Sequence, residues 1–270
     1  LRDTLGMIVD LFIVPSWYVL WNYNYLFTGV KALEILNRTT NIGLSCLIEA
    51  LRIREKKISS RDVSFILAPR INAAGRTSHA SLAVELLLTD DPNEAERLAK
   101  QLNRLNERRQ RLEAEILARC HQQIQSSINL DEDVVIVSAL PGLHEGLLGL
   151  VAGRLAEEYC RPVLVLNVEN EVVRGSGRSF GEFSLFEALT HCRDYLTGFG
   201  GHHLACGLQL KSENISPFKQ AINAFARKHI DKLSAEHGLV IDTFISPAEL
   251  NLKLMEALEE LEPYGEGNPA

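Results

Sequence analysis

The sequence predicts an α/β protein, and three observations predict it. VVIVSAL (134–140) and PVLVLNV (162–168) are continuous apolar runs with the length and β-branched content of strands buried on both faces. Between them HEGLLGLVAGRLAEEYC carries helical periodicity, which makes strand-helix-strand. Upstream of both, Ala95, Leu98, Leu102, Leu105, Leu112 and Ile116 keep a three-four spacing, the mark of one long helix with a single apolar stripe.

Composition sets the outer limits. The 270 residues suffice for one large domain or two ordinary ones. With 46% hydrophobic and 23% charged residues the chain has the make-up of a globular protein. A net charge of −7 argues against a surface basic all over, as a non-specific duplex binder needs, and leaves room for a local basic groove. The five cysteines form no CxxC pair, so neither a zinc knuckle nor a disulfide framework is indicated, and a reducing cytoplasm is the expected location. MIVDLFIVPSWYVLWNYNYLF is the most apolar stretch, yet Asp10, Pro15, Asn22 and Asn24 interrupt it before the roughly 20 residues of a membrane span. No signal peptide is recognisable, and both ends read as cut from something longer.

The elements follow in order. Residues 1–58 read as a buried strand near Met7 to Val14 and one helix with Leu33, Ile35, Leu44, Leu47 and Leu51 on its apolar side. RIREKKISSRD is a solvated turn. Pro69 to His79 reads as a loop rich in donors, and Ala80 to Leu88 as a helix. The long helix has clear punctuation at its start: Asp91 as N-cap, Pro92 at the first position, Glu94 three residues after the cap. If it runs to about Gln125 it spans on the order of 50 Å, a strut between two lobes or one arm of a coiled coil. After the first two strands come a third (171–177), a helix (184–196), a glycine-histidine segment, the strand GLQLK and a helix (215–232), completing an α/β lobe. LVIDTFISPAELNLKLMEALEELEP opens a further domain.

Four clusters have the residue types for chemistry. In GFGGHHLACG (198–207) the glycines allow close approach of a ligand, and a helix start after them would offer bare amides to an anion, with His202 as an added donor. A tight turn is the competing reading, and a His202/His203 metal pair is disfavoured because neighbours in one loop rarely reach one ion. RGSGRS (174–179), at a strand end, suits a phosphate chain, since guanidinium forks pair with phosphate oxygens; a polar hairpin tip is the alternative. APRINAAGR (68–76) sets Arg70 and Arg76 around Asn72, or is an ordinary connection between helices. GLHEGLLGL (142–150) puts His144 and Glu145 at a helix start without the HExxH spacing of a zinc helix, so His144 is read as a donor rather than a ligand.

Taken in order, PRINAAGR, LAVELLLTDD, LHEGLLGLVAGRLAEEYCRPVLVL, GSGRS, FGGHHLACGLQL and LEPYGEGNP resemble the successive signatures of the bacterial RecJ single-stranded-DNA-specific exonucleases, within the DHH phosphoesterases. The resemblance implies residues 1–90 as the end of a DHH catalytic lobe and 91–127 as a connecting helix. It implies 128–235 as a DHH-associated substrate-binding lobe and 236–270 as the approach to an OB-fold. The implied activity is metal-dependent 5′-to-3′ hydrolysis of single-stranded DNA in recombination and repair, by a monomer with a helicase or single-strand-binding protein as partner. Mn²⁺ or Mg²⁺ is the implied cofactor, in keeping with hard oxygen ligands.

By the same resemblance Asp10 is a metal ligand and catalytic, although its flanking residues differ from the family's usual ones, and the Asp-His-His signature would lie upstream of Leu1. The piece alone is then expected to be inactive. Arg70, Asn72 and Arg76 would face the substrate cleft, and His144, Ser176, Arg178, Gly200, Gly201 and His202 would contact substrate. Two alternatives stand beside this: a sister DHH phosphoesterase acting on oligonucleotides or cyclic dinucleotides, and a non-catalytic single-strand-binding or partner-binding module.

Overall fold

The computed structural model describes residues 23–55, 57–229, 241 and 243–264, with side chains from Gly29 onward. The expected strand near Met7 to Val14 and the candidate ligand Asp10 lie outside the described residues. The chain divides into two compact units, Leu1–Glu107 with Val240–Ala270, and Arg108–Leu239.

In the first unit, helices α1 (Tyr23–Asn37) and α2 (Ile42–Ala50) stand where the sequence predicts a single helix. Asn41 makes the break. Its side-chain oxygen accepts from the Leu44 amide at 2.9 Å to cap α2, while its own amide group donates to the Leu87 carbonyl at 2.8 Å. Leu33, Leu36, Leu44, Leu47 and Ile48 all bury in one core, so the apolar spacing carries on across the break and conceals it.

The segment Pro69 to His79 is a correction: α3 (Ala68–Thr77) occupies most of it, followed by α4 (Ser81–Leu88). A π-helical turn, Val63–Leu67, directly precedes α3. Proline has no N–H to give and crowds the carbonyl four residues back. The wide π turn lets Pro69 sit at the opening of α3, where no donor is required. Ala73 and Ala74 bury on the inner side of α3.

Helix α5 (Pro92–Ser127) runs unbroken for 36 residues, as its punctuation predicts. The Asn93 amide donates to Asp91 Oδ1 at 3.0 Å. Ala95, Leu98, Ala99 and Leu102 are buried in the core of the first unit, whereas Ile116, Cys120 and Ile124 are buried in a core of the second.

The second unit is built on a five-stranded sheet: β1 (Ile136–Pro141), β2 (Val163–Glu169), β3 (Val172–Arg178), β4 (Leu196–Gly201) and β5 (Ala205–Lys211), in spatial order β1-β2-β3-β5-β4. β1 and β2 are parallel, joined through α6 (Leu148–Tyr159), and every other pairing is antiparallel. α7 (Leu185–His191) and α8 (Ile215–Arg227) cover one face, onto which Leu164, Leu166, Val173, Leu208 and Leu210 pack. The other face carries Ile136, Val163 and Val165 beneath α6 and α5. Buried polar groups fasten these layers. Asn223 of α8 accepts from the Val135 amide at 2.8 Å and donates to the Val135 carbonyl at 3.1 Å. Glu113 of α5, its side chain 3% exposed, pairs with Arg109 at 2.6 Å and with Arg154 of α6 at 2.8 Å. Helix α9 (Leu252–Glu259) lies in the C-terminal stretch.

Candidate nucleic-acid interface

The strand β3 reads Val-Val-Arg-Gly-Ser-Gly-Arg, and its period of two sorts these residues by face. Val173, Gly175 and Gly177 look into the core. A Cβ on Gly175 would stand 2.2 Å from Leu166 Cδ2, and one on Gly177 would stand 2.3 Å from Leu164 Cδ2. Arg174, Ser176 and Arg178 therefore share the opposite face. RGSGRS is the C-terminal end of β3, as the sequence predicts, and not a hairpin tip, since the strand is flanked by β2 and β5.

The register places a row of small residues beside them. Ser176 pairs with Gly207, which pairs with Gly200; Arg174 pairs with Gln209, which pairs with Gly198; Arg178 pairs with Ala205. Gly198 and Gly200 have no other atom within 4 Å of where a Cβ would be. With α6 packed over β2 and β3, the face of β3, β5 and β4 is an open groove of about 520 Å³ with a floor of glycine and walls including Glu145, Leu148 and Arg174.

Arg178 is held in place. Its Nη1 donates to the Gly177 carbonyl at 2.8 Å and to Ser176 Oγ at 3.5 Å. Gly149 and Gly153, one turn apart on α6, leave the room it occupies: their Cβ atoms would stand 3.0 Å from its Nη2 and 3.8 Å from its Cγ. Arg174 instead pairs with Glu145 at 3.1 Å across the mouth of the groove, both side chains nearly half exposed.

The glycine-histidine segment is a hairpin. The expected helix start is absent, because Gly198 to Gly201 end β4 and Ala205 begins β5. Phe199 between the glycines packs on the core side against Phe186, with ring centroids 5.9 Å apart, a strand alternation that glycine hides from hydropathy. Gly201 has φ +139°, and a Cβ there would lie 2.3 Å from the Ala205 carbonyl oxygen. His202 and Ala205 exchange backbone hydrogen bonds at 2.9 and 3.3 Å, which puts His202, Ala205 and Arg178 in one row at the end of the sheet. His202 and His203 are both exposed. Beneath them Cys206 donates to the His202 carbonyl, and burial pushes its thiol up to about 11.

His144 is exposed and precedes the 3₁₀ turn Glu145–Leu147 that leads into α6. In the first unit, Arg70 Nη1 donates to the Ile66 carbonyl at 2.9 Å and its Nε to Asn103 Oδ1 of α5 at 3.3 Å. Asn72 and Arg76 are one turn apart on α3, about 200–240° around the axis from Arg70. α3 thus does not present all three on one side. Among the described residues no group of three or more His, Cys, Asp or Glu converges to hold a metal ion, so these residues do not by themselves fit Mg²⁺ or Mn²⁺. Gly149, Gly198 and Gln209 do not stand out in the sequence, and Gly207, which reads there as a helix cap, lies within β5. Their signal is the strand alternation in RGSGR and GFGG, which becomes legible once Gly is allowed on either face.

Comparison with known proteins gives the arrangement its context. Residues 132–228 match the DHHA1 domain family. The single-stranded-DNA-specific exonuclease RecJ of Bacillus subtilis is 33% identical over 98% of this chain and 33% of its own length. RecJ of Thermus thermophilus is 35% identical over 98% of this chain and 36% of its own length. The chain spans about a third of the length of these curated relatives. The crystal structure of Thermus thermophilus RecJ in complex with Mg²⁺ matches with a TM-score of 0.84 at 33% identity, over 98% of this chain and 40% of that one. A RecJ structure bound to manganese matches with a TM-score of 0.67 at 34% identity, over 83% of this chain and 54% of that one. Among the described residues no helix is long and apolar enough to cross a membrane. By sequence and by fold the chain belongs to the RecJ family, with residues 132–228 matching the DHHA1 domain.

Proposed function

We propose that this chain is the substrate-gripping part of a cytoplasmic, metal-dependent exonuclease that hydrolyses single-stranded DNA from the 5′ end in recombination and repair. The observation that carries the reading is the glycine-floored groove bearing Arg174, Ser176 and Arg178 inside the DHHA1 domain. A flat floor without side chains lets a sugar-phosphate backbone approach the sheet, and a fixed guanidinium with a hydroxyl beside it provides the donors for phosphate oxygens. Its openness suits an extended polymer.

In this reading Ser176, Arg178, Gly200, Gly201 and His202 contact phosphates, with His144 a further donor on the loop before α6. Asn72 and Arg76 are contacts from the first unit, whereas Arg70, already bonded to Ile66 and Asn103, positions α3. Asp10 is the proposed metal ligand; it would help hold Mg²⁺ or Mn²⁺, whose Lewis acidity would be the chemistry supplied there. The described residues contribute by holding the strand in register. A monomeric state and a helicase or single-strand-binding partner follow from the family resemblance.

The test is hydrolysis of 5′-labelled and 3′-labelled single strands, and of the matching duplex, by the protein that contains this chain, with Mn²⁺ or Mg²⁺ and with EDTA. Metal-dependent release from the 5′ end of single strands alone is expected. Absence of hydrolysis with retained strand binding would leave a binding module, and hydrolysis of cyclic dinucleotides in preference to long strands would favour the sister phosphoesterases.

A further inference from the structure

The rows of the groove repeat along the strands. Arg178, Ala205 and His202 form one; Ser176, Gly207 and Gly200 the next; Arg174, Gln209 and Gly198 the third. Two residues of strand separate each row from its neighbour, about 6.8 Å, a step comparable to one nucleotide of an extended strand. The third row differs in one respect. Its cation is not seated on the sheet but is paired with Glu145 at 3.1 Å, with side chains 48% and 45% exposed. Glu145 opens the 3₁₀ turn ahead of α6, and its carboxylate also lines the groove.

We infer that Arg174 and Gln209 form a second nucleotide subsite, one row beyond the Ser176 and Arg178 row, and that Glu145 is an acidic gate over it. A phosphate entering this row takes over the Arg174 guanidinium from Glu145. The Gln209 amide, with Gly198 beside it leaving space, supplies a donor and an acceptor to the same nucleotide. Because the Arg174–Glu145 pair is solvent-accessible, it is weak enough to exchange. A carboxylate beside the path of a polyanion holds affinity down, and this favours release and forward movement of the strand. The inference rests on the proposed function, since it assigns a subsite within the same groove.

The experiment is anisotropy titration of a labelled single-stranded oligonucleotide with the full chain in EDTA, repeated over a range of salt, for wild type, R174A, E145Q and R178A. Loss of one phosphate contact in R174A is expected to lower the magnitude of the log K against log salt slope by about 0.7. E145Q is expected to tighten binding about threefold, and this gain cannot come from misfolding. If R174A and E145Q match wild type in affinity and slope while R178A weakens binding, the second subsite is refuted and the proposed function survives. If wild type shows no salt-dependent binding of single strands at all, both fall.

Discussion

The Arg178 guanidinium lies against Gly149: a side-chain carbon on Gly149 would stand 3.0 Å from Arg178 Nη2 and 3.0 Å from Ser176 Oγ. The small residue on α6 therefore sets where the arginine on β3 rests. Gly149→Ala is expected to keep or raise stability by up to about 1 kcal/mol through helix propensity, while displacing Arg178 and weakening single-strand binding several-fold. Thermal melting and strand titration on the same sample separate the two effects.

Removal of the guanidinium itself, in Arg178→Ala, is expected to cost about 1.5–3 kcal/mol in the transition state, as for a hydrogen bond to a charged group. His202→Ala should act in the same direction with the fold intact. Turnover of labelled strands in the intact enzyme, alongside circular dichroism, checks both variants.

Gly201 illustrates the opposite case, in which stability is the casualty. With φ +139° and the Ala205 carbonyl 2.3 Å from a would-be Cβ, alanine meets backbone on one side and an unfavourable conformation on the other. Gly201→Ala is expected to destabilise the second unit by more than about 2 kcal/mol, seen as a lower midpoint in urea unfolding.

Asn223 joins α8 to the chain ahead of β1 through both polar groups of Val135. Asn223→Ala leaves a buried amide and a buried carbonyl unpaired, at a cost of about 2–4 kcal/mol. Equilibrium unfolding monitored by far-ultraviolet dichroism gives the number directly.

Cys192 and Cys206 supply a pH dependence whose sign is fixed by their burial. Each thiol is pushed from 9.0 to about 11 in the folded chain. Above pH 9 the unfolded chain releases these protons and the folded chain retains them, so stability is complete below that pH and is lost as pH rises toward 11. Melting temperature against pH should fall across this window, and Cys192→Ser with Cys206→Ser should flatten the fall. The exposed Cys160 should react first with a thiol reagent at neutral pH.

Much of the fold is legible in the sequence because its strongest patterns are local. The cap at Asp91 and the stripe from Ala95 to Ile116 define α5, and the two apolar runs define β1 and β2. What escaped has a physical reason in each case. The polar make-up of Pro69 to His79 reads as a loop, but a π turn sets Pro69 at the opening of a helix whose inner side needs only Ala73 and Ala74. The alternation of β4 is written in glycine and phenylalanine, and a residue without a side chain declares no face. Ser176 and Arg178 stand out in the sequence as candidate phosphate donors by residue type, and the structure sets them on one strand face. Their neighbours Gly198 and Gln209, and the place of Gly207 between Ser176 and Gly200, became visible only through register, which no single stretch of sequence encodes.

Helix α5 has a thermodynamic consequence of its own. Residues up to Leu102 form a wall of one core and residues from Ile116 a wall of another, with no break in between. Fraying in one half strips apolar cover from that half's core, and because an unbroken helix forms cooperatively it also loosens the turns beyond, so the two cores are expected to melt together in a single calorimetric peak. A glycine or proline set at its middle would uncouple them into two.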